Sequence, residues 1–209
     1  APPQSVDEAA GPVPLRHGAT VGTASSRRRA LLESLRDDLD TKPLRGNVPT
    51  RLGRLREGRF DAILLAAAGL DRLDAAAEAG GDAPPDRSGL VQVDLDPEIF
   101  VPAPSQGALA LEVRRNDDAT REAIGQLHAP DTARPVEAER HLLMLIQGGC
   151  EVPFGAWSRP TSDGRLELFA AIEWEDGLHR AHEAGDDPIA LAERTWEVLR
   201  SGAAERGRR

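Results

Sequence analysis

The sequence predicts an α/β protein in which a domain with a parallel or mixed sheet is followed by a small α+β domain. Short apolar segments alternate with amphipathic helical segments over the first 127 residues, as in βαβ units. Residues 62–65 are all apolar, which is typical of a buried parallel strand. After residues 128–130 the pattern changes to a helix followed by strands that a short turn can join. These observations place a domain boundary near residue 128.

In the first part, residues 19–22 predict a strand, and Ser25 or Ser26 can cap the helix that follows it. Asn47 can cap the next helix, which has a proline in its first turn and a glycine just past its end. The other elements predicted here are a second strand at Pro43 and Leu44, a third over 62–65, a surface excursion over 74–89, a strand over 108–113 and a helix near 117–127.

In the second part, the pattern predicts a helix over 136–146, a Gly-Gly-Cys loop at 148–150 and a final helix over 188–200. Strands are predicted around 152–157 and 166–172. The Ser-Asp-Gly sequence at 162–164 predicts a hairpin turn between them.

Composition limits the function classes. The net charge is −9, and Lys42 is the only lysine among 26 basic residues, so the surface disfavours a general polyanion binder. Three Trp, four Phe and no Tyr supply few rings for stacking on nucleic acid. A single cysteine excludes an intrachain disulfide and a multi-cysteine zinc site, and it makes a reducing cytoplasm the expected compartment. The longest apolar run is far shorter than the ~18 residues of a membrane span.

Arginine and hydroxyl side chains occur where each predicted strand turns into a helix. Parallel strands end at one edge of a sheet, and helix N-termini there present N–H donors, so these groups can converge on an anion. The alternative, that arginine is simply frequent in this chain, stays open on pattern alone. The residues are Thr23, Ser25, Arg27 and Arg28 at the first turn, Arg45 and Arg51 at the second, and Arg72 at the third.

Cys150 follows two glycines, which suits an exposed loop that a ligand can approach closely. It could be a nucleophile or a point of covalent attachment if arginines stabilise its thiolate, or it could be a small buried apolar residue. His179 and His182, beside Glu183, have only loose metal spacing and are interpreted as a polar strand edge, so no metal site is predicted.

Five segments, taken in order, resemble the porphobilinogen deaminase family, also called hydroxymethylbilane synthases. The resemblance extends from about residue 19 to 175. It is carried by Val-Gly-Thr-Ala-Ser-Ser-Arg-Arg at 21–28, Leu-Arg-Gly-Asn-Val-Pro-Thr-Arg-Leu at 44–52, Asp-Ala-Ile-Leu-Leu-Ala-Ala-Ala-Gly-Leu at 61–70, Pro-Ala-Pro-Ser-Gln-Gly-Ala-Leu at 102–109, and Ala-Glu-Arg at 138–140 with Gly-Gly-Cys-Glu-Val-Pro at 148–153.

The resemblance implies a periplasmic-binding-protein-like fold and an enzyme that joins four porphobilinogen molecules head to tail, releasing ammonia. It also implies a dipyrromethane cofactor held by Cys150 through a thioether. By resemblance, the cofactor's carboxylates are bound by Thr23, Ser25, Arg27, Arg28 and Arg51, while Arg45, Arg72 and Gln106 line the side of the substrate and growing oligopyrrole. A cytoplasmic monomer without nucleic-acid or membrane partners is expected.

The chain also departs from the family pattern. Ser105 stands where a glycine is usual and Ala24 where a serine is usual. The family's catalytic aspartate follows a lysine, whereas Lys42 is followed by Pro43. We therefore expect 1–97 to be the family's second domain, 98–127 a strand and helix returning to its first domain, and 128–209 the carboxyl-terminal domain. An inactive fragment or a non-catalytic carboxylate-binding module is the alternative.

Overall fold

The computed structural model describes residues 1–147 and 152–206, which form two compact units. The first unit contains Ala1–Val101 with the short stretches 152–154 and 172–178, and the second contains the other described residues. The mixture of a parallel sheet with a hairpin-built sheet confirms the predicted α/β and α+β fold class.

A three-stranded parallel sheet organises the first unit. The strands are β1 (Thr20–Gly22), β2 (Asp40–Lys42) and β3 (Ala62–Ile63), in the order β2-β1-β3. Val21 lies opposite Thr41 on one side and Ala62 on the other, so β1 is central. The prediction of a strand at Pro43 and Leu44 is wrong by about two residues, because proline has no N–H to donate to the ladder and the strand ends before it.

Helices follow each strand of this sheet. They are α1 (Ser26–Leu35), α2 (Val48–Arg56) and α3 (Ala67–Glu78). The side chains of Ser25 and Asn47 accept hydrogen bonds from N–H groups in the first turns of α1 and α2, which confirms both predicted caps. The predicted excursion over 74–89 is wrong at its start, because alanines with high helix propensity carry α3 on to Glu78.

The chain then crosses an extended stretch before α4 (Asp118–Gly125), the predicted helix near 117–127. The predicted strand over 108–113 does not form within the structure described, because none of its backbone groups pairs with another strand. Leu109 and Leu111 in this stretch are 78% and 59% exposed.

The last part contains α5 (Pro130–Ile146), β4 (Phe154–Pro160), β5 (Leu166–Trp174), β6 (Gly177–Gly185) and α6 (Pro188–Arg206). The strands form a sheet in the order β4-β5-β6, and their short connections make neighbours antiparallel. Helix α5 begins six residues before the predicted start at 136, because Pro130 occupies its first turn and the helix continues through Pro135. The predicted hairpin turn contains Gly164, whose φ of +82° is a left-handed conformation that glycine adopts readily.

The amino-terminal segment is fixed to the parallel sheet by Asp61. Its carboxylate accepts hydrogen bonds from Ser5 Oγ (3.3 Å), Arg16 Nη2 (2.8 Å) and the Thr20 N–H (2.9 Å). Although burial opposes ionisation, these bonds lower the pKa of Asp61 below its ordinary value. Val13 and Leu15 from the same segment are buried beside Val21, so this carboxylate holds part of the core in place.

We predict that Asp61→Asn lowers the free energy of unfolding at pH 7 by about 1–2 kcal/mol, because the amide cannot replace three bonds to a charged acceptor. A lowered folded pKa gives stability that is present above the unfolded value of about 3.9 and lost as the pH falls through the folded value. The difference in free energy of unfolding between wild type and variant, measured by urea titration, should therefore become smaller below about pH 4.

Asp40→Asn is the matched control. Asp40 pairs with Lys42 at 3.0 Å, but both side chains are more than half exposed, so its loss should cost less than about 0.5 kcal/mol. Equal losses for the two variants would contradict the role assigned to Asp61.

Candidate anion-binding site

The loop after β1 begins the site. The Thr23 N–H donates to the Lys42 carbonyl at 2.9 Å, which carries the β1-β2 ladder one residue past the strand. Thr23 Oγ1 accepts from the Ser25 N–H at 3.2 Å, and Ser25 Oγ accepts from the Arg28 N–H at 3.4 Å. Both hydroxyls are used here as acceptors, so the hydrogen of each hydroxyl can still be directed towards an anion.

Arg27 is the most buried arginine of the site, with 7% of its surface exposed. Its Nη1 donates to the Val101 carbonyl at 2.5 Å. Burial, followed by the nearby charge of Arg28, lowers the pKa of Arg27 to about 10, so it stays protonated at neutral pH. A carbonyl dipole compensates this buried charge only in part, since it carries no net negative charge.

Arg28 and Arg51 extend the positive charge. Nη1 of Arg28 donates to the Leu64 carbonyl at 2.8 Å, and Nε of Arg51 donates to the Gly46 carbonyl at 2.7 Å. Burial and then the charge of Arg51 lower the pKa of Arg28. Gly46 has φ +113°, a conformation that L side chains rarely adopt, and this turn presents the carbonyl to Arg51.

The structure therefore brings together five of the predicted residues at the carboxyl edge of β1 and the start of α1 and α2. Arg27, Arg28 and Arg51 are coupled by like-charge repulsion, and backbone carbonyls orient all three. Such an array is stabilised by an anion with two or more carboxylates, because guanidinium groups pair with carboxylates through charge-assisted hydrogen bonds.

The other predicted residues take no part in the hydrogen bonds described above. Arg45 is exposed just before α2, and Arg72 is exposed on α3, where it also interacts with a neighbouring group. Gln106 is exposed in the second unit, where its N–H donates to the Ala103 carbonyl. Cys150 lies outside the described residues.

The histidines of β6 form local contacts. His179 is 1% exposed. His182 Nε2 lies 3.3 Å from Glu167 Oε1, and its ring stacks on Phe169 with centroids 4.0 Å apart. Over residues 1–147 and 152–206, no three His, Cys, Asp or Glu side chains group as metal ligands. Among the helices that the structure describes, none has the length and apolar composition needed to cross a bilayer.

Two sets of polar contacts, one in each unit, leave little signal in the sequence. The carbonyls of Leu64 and Val101 hold Arg28 and Arg27, but a backbone acceptor leaves no side-chain signal. Glu139, on α5, is 5% exposed, and its carboxylate accepts from two backbone N–H groups of the second unit. Two signals could have indicated it: Glu139 lies in the Ala-Glu-Arg segment that contributes to the family resemblance, and the residues three and four positions away on the helix, such as Val136 and Leu142, are apolar.

Comparisons with known proteins find two matching family domains in the chain. Residues 7–122 match the sequence model described as porphobilinogen deaminase, dipyromethane cofactor binding domain, and residues 133–195 match that of the porphobilinogen deaminase C-terminal domain. The chain is 44% identical over 191 residues to a porphobilinogen deaminase of Syntrophobacter fumaroxidans, covering 89% of this chain and 58% of the relative. A porphobilinogen deaminase of Thermus thermophilus is 42% identical over 194 residues, and this match covers 92% of this chain and 60% of that relative. The chain thus spans about three fifths of these relatives' length.

We predict that citrate raises the Tm of the chain by about 2–4 °C beyond sodium chloride of equal ionic strength, because a tricarboxylate relieves the repulsion within the arginine array. Arg28→Gln should lose about half of this increase or more, since it removes the central charge. Thermal unfolding followed by circular dichroism measures the shift.

Arg59→Gln is the matched control. Arg59 is an exposed arginine of the same unit that pairs with Glu57. The Arg59→Gln variant should show the same rise in Tm with citrate as the wild type. If Arg59→Gln and Arg28→Gln lost equal parts of this rise, citrate would be acting through net charge alone.

Proposed function

Because the chain belongs to the porphobilinogen deaminase family, we propose that it serves the head-to-tail joining of four porphobilinogen molecules into hydroxymethylbilane, with release of ammonia. The observation that supports this most directly is the coupled array of Arg27, Arg28 and Arg51, within the stretch that matches the family's cofactor-binding domain. The reaction assembles pyrroles that each carry two carboxylates, so its product is a polyanion that needs such an array.

The residues of the array fit a dipyrromethane cofactor. Its acetate and propionate groups match the guanidinium groups of Arg27, Arg28 and Arg51 and the hydroxyls of Thr23 and Ser25. We propose that these five residues bind the cofactor and that Cys150 holds it through a thioether. When bound, the cofactor supplies the pyrrole on which the oligomer grows.

The arginines would act through charge and position. Arg27 and Arg28 are fixed by carbonyls before any ligand binds, so little side-chain entropy is lost on binding. Their buried charge makes binding depend on carboxylate number, which favours successive intermediates with more carboxylates. We propose that Arg45, Arg72 and Gln106, which are all exposed, contact porphobilinogen and the growing chain.

We also propose that 1–97, 98–127 and 128–209 correspond to three parts of the longer family protein, with 98–127 returning to its first domain. Leu109, Leu111 and Leu127 are 78%, 59% and 70% exposed. Leaving these apolar side chains in water forgoes the free energy that their burial would provide. We propose that the part of the longer family protein that this chain does not match would cover them. A cytoplasmic monomer is the assembly proposed, and size-exclusion chromatography tests it.

We predict that mass spectrometry of the chain, incubated with porphobilinogen, finds an increment of two pyrrole units on the peptide containing Cys150. An aldehyde reagent specific for pyrroles should give the matching colour. Cys150→Ser should abolish both signals, because an alcohol is a far weaker nucleophile than a thiolate. An unmodified thiol together with wild-type citrate stabilisation would instead indicate a carboxylate-binding module.

We predict that the chain alone consumes porphobilinogen more slowly than the full-length Thermus thermophilus relative by about 10²-fold or more, because no Lys-Asp pair is present to supply general acid–base catalysis. A porphobilinogen consumption assay at matched protein concentrations measures the ratio. Equal rates would contradict the requirement for that aspartate.

A further inference from the structure

Glu139 is a buried carboxylate bound by the backbone of two separate segments. Its Oε2 accepts from the Ser105 N–H at 2.5 Å and its Oε1 accepts from the Ser158 N–H at 2.8 Å. The three residues lie in the second unit, on the 104–107 turn, on α5 and on β4. One side chain therefore connects a helix, a strand and a turn.

Keeping a carboxylate at this place is costly. Burial raises the pKa of Glu139, while the two N–H groups oppose that rise. An uncompensated buried carboxylate would strongly destabilise the fold, so the geometry depends on both N–H contacts being kept. Loss of either contact would leave part of a buried charge without a hydrogen-bond donor.

The contact with Glu139 constrains the backbone of Ser105 and leaves the Ser105 side chain unconstrained. Ser105 has φ +61°, a left-handed conformation that is unfavourable for a non-glycine residue and must be held by its surroundings. The hydroxyls of Ser105 and Ser158 have no hydrogen-bond partner among the described residues. The Ser105 backbone is held on both sides: its N–H donates to Glu139, and its carbonyl accepts from the Ala108 N–H at 3.1 Å. Of these two contacts, the bond to Glu139 is the one that connects the turn to α5.

We infer that Glu139 is a positioning residue, which fixes the 104–107 turn so that the adjacent Gln106 is presented to porphobilinogen. This inference rests on the proposed function, because it requires Gln106 to contact that substrate. The Ser105 N–H belongs to the peptide between Pro104 and Ser105, so Glu139 fixes the backbone immediately before Gln106, which is exposed. Together with the bond from the Gln106 N–H to the Ala103 carbonyl at 3.0 Å, this contact limits the directions in which the Gln106 side chain can leave the turn. Glu139 does not itself touch the substrate in this account.

A double-mutant cycle on the full 209-residue chain tests the inference, with the Kd of porphobilinogen measured by isothermal titration. Gln106→Ala should weaken binding about tenfold through loss of a hydrogen bond to a charged ligand. Glu139→Gln should weaken it by a similar factor, because an amide has one acceptor oxygen for two N–H groups. The double variant should also be weakened only about tenfold, and not a hundredfold, since both changes remove one contact.

Glu137→Gln is the control, because Glu137 is exposed on the same helix and its loss should leave Kd unchanged. If Glu139→Gln does not fold, Glu139→Asp, which keeps the charge but is one methylene shorter, replaces it in the cycle with the same expectation. Loss of protection from hydrogen exchange at the Ser105 N–H should accompany the weaker binding.

The outcomes separate the two proposals. Absence of porphobilinogen binding by the wild type would overturn the proposed function and this inference with it. Binding that Gln106→Ala weakens and Glu139→Gln leaves unchanged would overturn the inference alone. Additive, hundredfold weakening in the double variant would also overturn it, because Glu139 would then act independently of Gln106.

Discussion

The protonated guanidinium of Arg27, buried near the charge of Arg28, is the constraint on which the first unit depends. Even with its pKa lowered to about 10, Arg27 cannot shed its charge near neutrality, so the fold must offer it dipoles. It does so with the Val101 carbonyl, as it does for Arg28 with the Leu64 carbonyl. The ends of β3 and of the first unit must therefore lie where those carbonyls reach α1. A positive edge of the sheet is built in before any ligand arrives.

Much of this arrangement could be predicted because the signals are local. The cap at Asn47 follows from a side chain that bonds its own helix, and the arginines at strand ends follow from the rule that parallel strands terminate together. Thr23, Ser25 and Arg28 were predicted in the same loop and are joined there by hydrogen bonds. The assignment of each to cofactor or substrate remains a prediction.

The wrong predictions concern segments whose secondary structure depends on contacts with residues far away in the sequence, or on the absence of such contacts. Residues 108–113 have strand propensity, but a strand forms only with a partner, and no described segment supplies one. Pro135 argues locally for a helix boundary, yet packing of α5 against α6 carries the helix through it. Glu139 is difficult for a different reason. It stands among other charged residues, such as Glu137 and Arg140, so nothing local marks it as buried, and the backbone amides that compensate its charge are 34 and 19 residues away.

The contact of Glu139 with two backbone amides also has an evolutionary consequence. Because every residue except proline supplies a backbone N–H, positions 105 and 158 can change without loss of the contact, provided that the turn tolerates a left-handed residue. Selection would then act on one position of a three-residue contact. Methods that infer contacts from correlated substitutions would find no covariation at this site, although three elements of the second unit meet there.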